Sequence, residues 1–251
     1  MRTQAIRFSI VSHAAWAPGL TTADLWRQWA AAPYRIEAGA EPGVAAMPAM
    51  LRRRAGLLGK MALEVAYQCQ AGRADVPTVF CSRHGEVGRA LDLLADLARG
   101  EPLSPTAFGM AVHNASAGLF TIARADRANH IALAAGAATV EHAVIEACGL
   151  LADGAPAVLL VACDCALPPL MAPYADSDEQ PHAWAWLMTA AADSGAIALS
   201  WTGAGATPDD DAAAESTAVP GSLAVLAFQL SGASRMERVA AQRRWRWSRD
   251  A

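Results

Sequence analysis

Five cysteines and six histidines are the side chains of this 251-residue chain best suited to covalent or acid–base chemistry. Cys81 and His84 lie three apart in PTVFCSRH (77–84). A thiol beside an imidazole is the arrangement of a nucleophile and its base. The same pair also fits a buried strand cysteine followed by an exposed loop histidine, and the plainer reading is preferred. Cys163-Asp164-Cys165 offers two possible metal ligands, but no second Cys/His pair stands near. Residues i and i+2 of a strand share a face, so packing explains the spacing better than a metal does. An odd number of cysteines in apolar surroundings points to reduced, mostly buried thiols.

A third candidate is positional. NHIALAAGAATVEHAVIEA (129–147) opens like a strand and closes like a helix, with a tight turn at Ala135–Thr139 between them. Many enzymes carry their nucleophile on such a turn. Here the position holds Gly136, which has neither thiol nor hydroxyl. His130 and His142 flank the turn, but the pattern sets no thiol or serine beside them to activate. Two basic runs complete the inventory: Arg52-Arg53-Arg54, and Arg243-Arg244 within RRWRW (243–247). Each suits an acidic protein partner or simply a solvated face. The alternation of Arg and Trp in the second also suits a membrane surface.

Elements must position these groups. AIRFSIV (5–11) reads as a first strand, and Thr21 or Thr22 caps a short helix through Trp26 and Trp29. Residues 33–48, rich in Pro and Gly, form a long connection. From Ala49 onward Leu57, Leu58, Met61, Val65 and Cys69 give one apolar helix face. A strand follows at 77–83, broken by Gly85. A helix over 86–99 has Val87, Leu91, Leu94 and Leu97 on one side. SPTAF (104–108) is a turn or extended piece, 114–124 a helix, 130–135 a strand and 138–153 a helix. The continuous apolar run 155–167 is typical of a strand covered on both faces. Two strands over 183–201 suggest a hairpin around Asp193-Ser194-Gly195. Residues 207–222 read as a mobile loop, 224–230 as a last strand and 232–247 as a last helix. Strands alternating with helices, several of them wholly apolar, mean an α/β fold with a mostly covered sheet.

Hydrophobic residues make up 54% of the chain and charged residues 18%. Extra surface to bury against a partner would explain this, and so would alanine content alone. The net charge of −4 gives no reason to expect nucleic acid. Arg7 and His13 interrupt any signal-peptide core, and no apolar run is long enough to span a bilayer, so a cytoplasmic protein is expected. The usual nucleotide-binding glycine motifs are missing and no cofactor is expected.

SPTAFGMAVHNASAGLFTIA (104–123), followed by the strand and elbow of 129–147, resembles the N-terminal half of β-ketoacyl synthases. Ser104-Pro105, the Asn114-x-x-Ala117-Gly118 helix, FCSRHGE (80–86) and VLLVACD (158–164) share in the likeness. It is strongest over 49–170, within a single domain spanning 1–251. AVHN (111–114) looks most like a short branch associated with aryl-polyene and related pigment clusters, the chain-length-factor-like subunits. The resemblance implies a thiolase-like, layered αβα fold, shorter than full condensing enzymes. It places the acyl-accepting cysteine of true ketosynthases at Gly136, so this chain is expected to be non-catalytic. It further implies a heterodimer with a full-length ketosynthase, in which Asn129, His130, Ile131, Ala132, Leu133, Ala134 and Ala135 pair with the mate. Met110, Val112, His113, Asn114, Gly118 and Phe120 would approach the partner's acyl tunnel. Arg52, Arg53, Arg54, Arg243 and Arg244 would touch an acyl carrier protein. The alternatives are an independent thiolase-fold acyltransferase or hydrolase using Cys81 or Cys163, and a carrier-protein-binding scaffold.

Overall fold

Val158–Asp164 is seven consecutive residues with every side chain buried, and the rest of the molecule is layered around it. The structure, a computed structural model, describes residues 4–203 and 219–250. Its helices and strands are, in chain order, β1 (Gln4–Trp16), α1 (Ala23–Ala31), α2 (Ala49–Arg52), α3 (Leu57–Gln70), β2 (Thr78–Cys81), α4 (Val87–Arg99), α5 (Pro105–Gly109), α6 (Ala115–Arg124), β3 (His130–Leu133), α7 (Thr139–Ala152), β4 (Val158–Asp164), β5 (His182–Ala190), β6 (Ile197–Gly203), α8 (Gly221–Ser231), β7 (Arg235–Ala240) and β8 (Arg243–Arg249). The strands form one eight-stranded sheet in the order β3-β2-β4-β5-β1-β6-β8-β7. β2 runs parallel to β3 and β4, and the other neighbours are antiparallel.

Because side chains alternate across a strand, the sheet feeds two cores. Leu160, Ala162, Trp184, Trp186 and Trp247 lie on one face with α1, α7 and α8. Leu159, Val161, Cys163, Ala185 and Leu187 lie on the other with α3 and α6. This is the αβα layering expected. Thr22 caps α1, its hydroxyl accepting from the Leu25 N–H at 3.3 Å.

Several expectations need correction. The helix foreseen from Ala49 is two helices, α2 and α3, broken around Arg53–Gly56. SPTAF forms the short helix α5, with Ser104 as its cap and Pro105 in its first turn. β5 and β6 do not form a hairpin. β1 lies between them, pairing Phe8 with Ala190 on one side and with Ile197 on the other. Residues 224–230 are helical, within α8. A wholly apolar run fits a buried helix as well as a buried strand, and here Pro220 starts the helix while left-handed Gly232 ends it. The helix expected over 232–247 is instead the hairpin β7–β8, turning through Ala241 and Gln242, both at positive φ. Of the loop expected at 207–222, residues 207–218 lie outside the described residues, and 221–222 begin α8.

In α4 the helix is where it was expected, but its apolar stripe is not turned inward. Only Leu93 is buried, while Leu94 and Leu97 are each 59% exposed.

Candidate functional site

β3 is the edge of the sheet. It pairs with β2 from Thr78↔His130 to Cys81↔Leu133, and no strand among the described residues lies beyond it. Its sequence, HIAL, carries no Lys, Pro or bulge to blunt that edge, the devices that normally prevent pairing with another chain. Asn129 starts the pairing, its carbonyl accepting from the Thr78 N–H at 3.0 Å. His130 and Ala134 are exposed, and Ile131, Ala132, Leu133 and Ala135 half-buried.

The elbow follows directly. Gly136 begins a 3-10 turn, Gly136–Ala138, that leads into α7. Its φ of +56° is a left-handed conformation that glycine adopts freely, and a Cβ there would meet nothing within 4 Å. The position is therefore open as well as empty of a nucleophile. Thr139 holds the turn: its Oγ1 accepts from the Ala135 N–H at 3.0 Å and donates to the Gly136 carbonyl at 2.7 Å.

Beside the edge lies an open groove of about 330 Å³, lined in part by Arg54, Met110, Val112, Asn114, Gly118 and Ile122. Helical spacing builds it: Asn114, Gly118 and Ile122 recur every fourth residue and face outward from α6. The opposite side of α6 faces the core, and this corrects the expectation for Phe120. That ring is 1% exposed and packs against Tyr67 at 5.1 Å and Phe80 at 5.9 Å. It supports the groove from behind instead of lining it. His113 connects groove and edge, its Nε2 donating to the Leu133 carbonyl at 3.1 Å.

The sequence reading missed several exposed apolar side chains, of which Ile122 lines this groove. Phe108 and Ile122 are each 66% exposed, Met50 77% and Leu103 41%. For Ile122 the signal was available, four residues past Gly118 on one helix face. Leu94 and Leu97 share one side of α4, as their spacing implies, and both are exposed.

The basic runs do not come together. Arg54 lines the groove and Arg53 is exposed, whereas Arg52 is half-buried and donates to the Val44 carbonyl at 3.3 Å. Arg243 and Arg244 lie in β8, toward the opposite end of the sheet. There Arg244 and Arg246 share Glu237 at 3.7 and 2.7 Å, while Trp245 and Trp247 are fully buried on the other face. RRWRW is thus an alternating strand whose tryptophans are core, which removes the membrane-surface reading. Among the described residues no helix is long and apolar enough to cross a membrane.

The thiols are poorly placed for chemistry. Cys81 is buried in the layer of α7 and Cys163 in the layer of α3. Burial pushes both thiols well above the usual range, reinforced by the charge of Asp164. Asp164 joins the strand ends, accepting from Ser82 Oγ at 2.9 Å and from the Arg83 N–H at 2.8 Å. Burial, and then the nearby Glu179, push its carboxyl up to about 8. Arg83 donates to Glu179 at 2.6 Å and pairs with Asp176, fastening the segment before β5. Among the described residues no group of three or more His, Cys, Asp or Glu side chains is placed to hold a metal.

One further pair has the form of a nucleophile and base. His182 Nδ1 donates to the Gln180 carbonyl at 2.7 Å, which leaves Nε2 to accept from Ser222 Oγ at 2.9 Å. Trp184 Nε1 also donates to Ser222 Oγ at 2.9 Å. His182 is 0% and Ser222 7% exposed, so this is a buried tie between β5 and the start of α8.

A sheet with helices on both faces, a strand-elbow-helix unit at one edge and this helix order define a thiolase-like fold. The family model for the N-terminal domain of β-ketoacyl synthases matches residues 26–248, and the chain belongs to that family. It is similar, at 27% identity and a TM-score of 0.84, to a chain in the structure of a ketosynthase in complex with its chain length factor from Xenorhabdus doucetiae. That match covers 97% of this chain and 100% of the other, so the two are of nearly equal length. The ishigamide ketosynthase/chain length factor matches at 15% identity and a TM-score of 0.61, over 91% of this chain and 74% of that one. A β-ketoacyl synthase from Burkholderia phymatum matches at 13% identity and a TM-score of 0.61, over 91% of this chain and 71% of that one. No curated protein matches significantly.

Proposed function

We propose that this chain is the non-catalytic, chain-length-factor-like subunit of a β-ketoacyl synthase complex. It pairs with a full-length ketosynthase, stabilises it and shapes its acyl tunnel, in assembly of a polyene or related fatty-acid-type chain such as the aryl polyenes. The observation that carries the reading is the unprotected edge of β3 running straight into an elbow that holds Gly136 where the family keeps its cysteine. The similarity to a chain of equal length from a ketosynthase–chain length factor complex supports it.

In this reading the free N–H and C=O groups of β3 extend across the two-fold axis to the mate's equivalent strand. Met110, Val112 and Ile122, with Gly118 between them, supply an apolar surface beside it, to which Asn114 adds a polar group. Met110 and Val112 abut the growing chain. Overpacking a tunnel end costs about 1–3 kcal/mol, enough to bias product length. The condensing thiolate and the groups that stabilise developing charge come from the partner. Arg53 and Arg54, or Arg243 and Arg244, meet the acidic acyl carrier protein.

The test is co-expression with a full-length ketosynthase, then size-exclusion chromatography and intact mass. A one-to-one complex acylated only on the ketosynthase is the expected result. Acyl mass appearing on this chain alone would sink the reading in favour of an acyltransferase using Cys81 or Cys163. A complex whose product length ignores Val112→Ala and Met110→Ala would reduce the role to a scaffold.

A further inference from the structure

The two edges of the sheet converge on the elbow. β7, the edge opposite β3, carries Arg238, whose Nη2 donates to the Ala137 carbonyl at 2.9 Å. Its Nη1 donates to both carboxylate oxygens of Glu141, at 2.7 and 2.9 Å. Glu141 sits in the first turn of α7 and is 0% exposed. A buried carboxylate needs a hydrogen-bonded cation, and the planar guanidinium supplies it from Nη1 while Nη2 serves the carbonyl. α8 is shaped to the same group: a Cβ on Gly221, its first residue, would collide with the Arg238 guanidinium. Close by, Trp245 of β8 packs edge-on against His142 of α7 at 5.3 Å.

Flat-sheet geometry does not allow this. α7 packs over β2, β3, β4, β5 and β1. β7 lies three strands beyond β1, or ~14 Å at the usual strand spacing. The β6-β8-β7 end must therefore curl back over α7 for its side chains to arrive, and Arg238 is the group that closes the curl on the turn between β3 and α7.

We propose that Arg238 is the positioning residue of the elbow. Through Ala137 and Glu141 the C-terminal hairpin sets the angle at which the β3 edge and the turn after it are presented, so a residue outside the partner contact governs partner pairing. The pairing clause rests on the function proposed above, whereas the clamp itself does not.

The experiment uses the full chain with Arg238→Lys, which keeps the charge but lacks the second nitrogen that reaches the Ala137 carbonyl, and Gly221→Ala, which displaces the guanidinium. Hydrogen exchange is measured over 134–141 and over β4, alongside affinity for the full-length ketosynthase. Both variants are expected to exchange at least tenfold faster across 134–141 with β4 unchanged, and to bind the ketosynthase at least tenfold more weakly. Exchange rising equally in both regions would reduce the pair to general stability and overturn the proposal, as would unchanged exchange at the elbow. Faster elbow exchange with unchanged affinity would overturn the link to pairing. A wild-type chain that does not bind the ketosynthase defeats the functional reading, and the exchange pattern still decides the clamp.

Discussion

His113 fills the space that a side chain on Gly85 would need. A Cβ built there stands 2.5 Å from Nδ1 of that ring, while Nε2 of the same ring reaches the carbonyl that ends β3. Gly85 also has a φ of +57°. Gly85→Ala should therefore push His113 away from Leu133, with a stability loss of about 1–3 kcal/mol from overpacking alone. Urea unfolding checks this, and weaker ketosynthase binding should accompany it. A variant as stable as the parent would show that the ring is not held.

Cys81 and Cys163 should resist thiol reagents. Burial raises both thiols well above their ordinary value, so the reactive thiolate is scarce at pH 8. The expected outcome of maleimide labelling followed by mass spectrometry is no modification at either residue before unfolding, and modification of both after. Rapid labelling of one in the folded protein would reopen the acyltransferase reading.

Asp164 gives a pH signature. Its folded-state value of about 8 lies above the ordinary carboxylate range, so the folded protein holds a proton that the unfolded chain releases. Its contribution to stability is greatest below about pH 4 and falls as pH rises toward 8. Asp164→Asn keeps an acceptor for Ser82 and the Arg83 N–H but cannot ionise. Relative to wild type it should gain Tm steadily between pH 5 and pH 8.5. A constant Tm difference across that window would mean that Asp164 is already ionised in the folded state.

Trp247 separates a core strand from a membrane-facing tail. Trp247→Ala should cost about 3–5 kcal/mol, as large-to-small changes at buried aromatics do. The folded parent should not bind anionic lipid vesicles. Vesicle binding lost in this variant at constant stability would restore the surface reading of RRWRW.

Ile122→Glu tests the groove. The side chain is exposed, so the isolated chain should keep its stability to within about 0.5 kcal/mol. Complex formation should weaken at least tenfold, about 1.4 kcal/mol, measured by titration with the ketosynthase.

The parts legible in the sequence were those governed by local pattern. The elbow at Gly136, the apolar strand of 158–164 and the cap at Thr22 all follow from spacing and residue type. The C-terminal third resisted because its identity is set at long range. Nothing near residues 183–201 announces that β1 will lie between the two strands. The apolar stretch of α8 has no period to tell helix from strand, although Pro220 and Gly232 mark its ends as a helix's. Alternation in RRWRW was visible and points to a strand once both tryptophans are given a core to enter. The partners of Arg238 lie about a hundred residues earlier in the chain, beyond any local signal.

The position of β1 also bears on how the chain is made. Its pairing partners, β5 and β6, begin at His182 and Ile197. At ~5–20 residues per second of synthesis, the first strand waits roughly 10–40 s on the ribosome before either partner emerges. During that interval Ile6, Phe8 and Ile10 have no sheet to enter. The dominance of such distant pairings gives a high contact order and slow folding. A truncation before β5 leaves the first strand with neither of its partners, whereas one within β6 still leaves it β5.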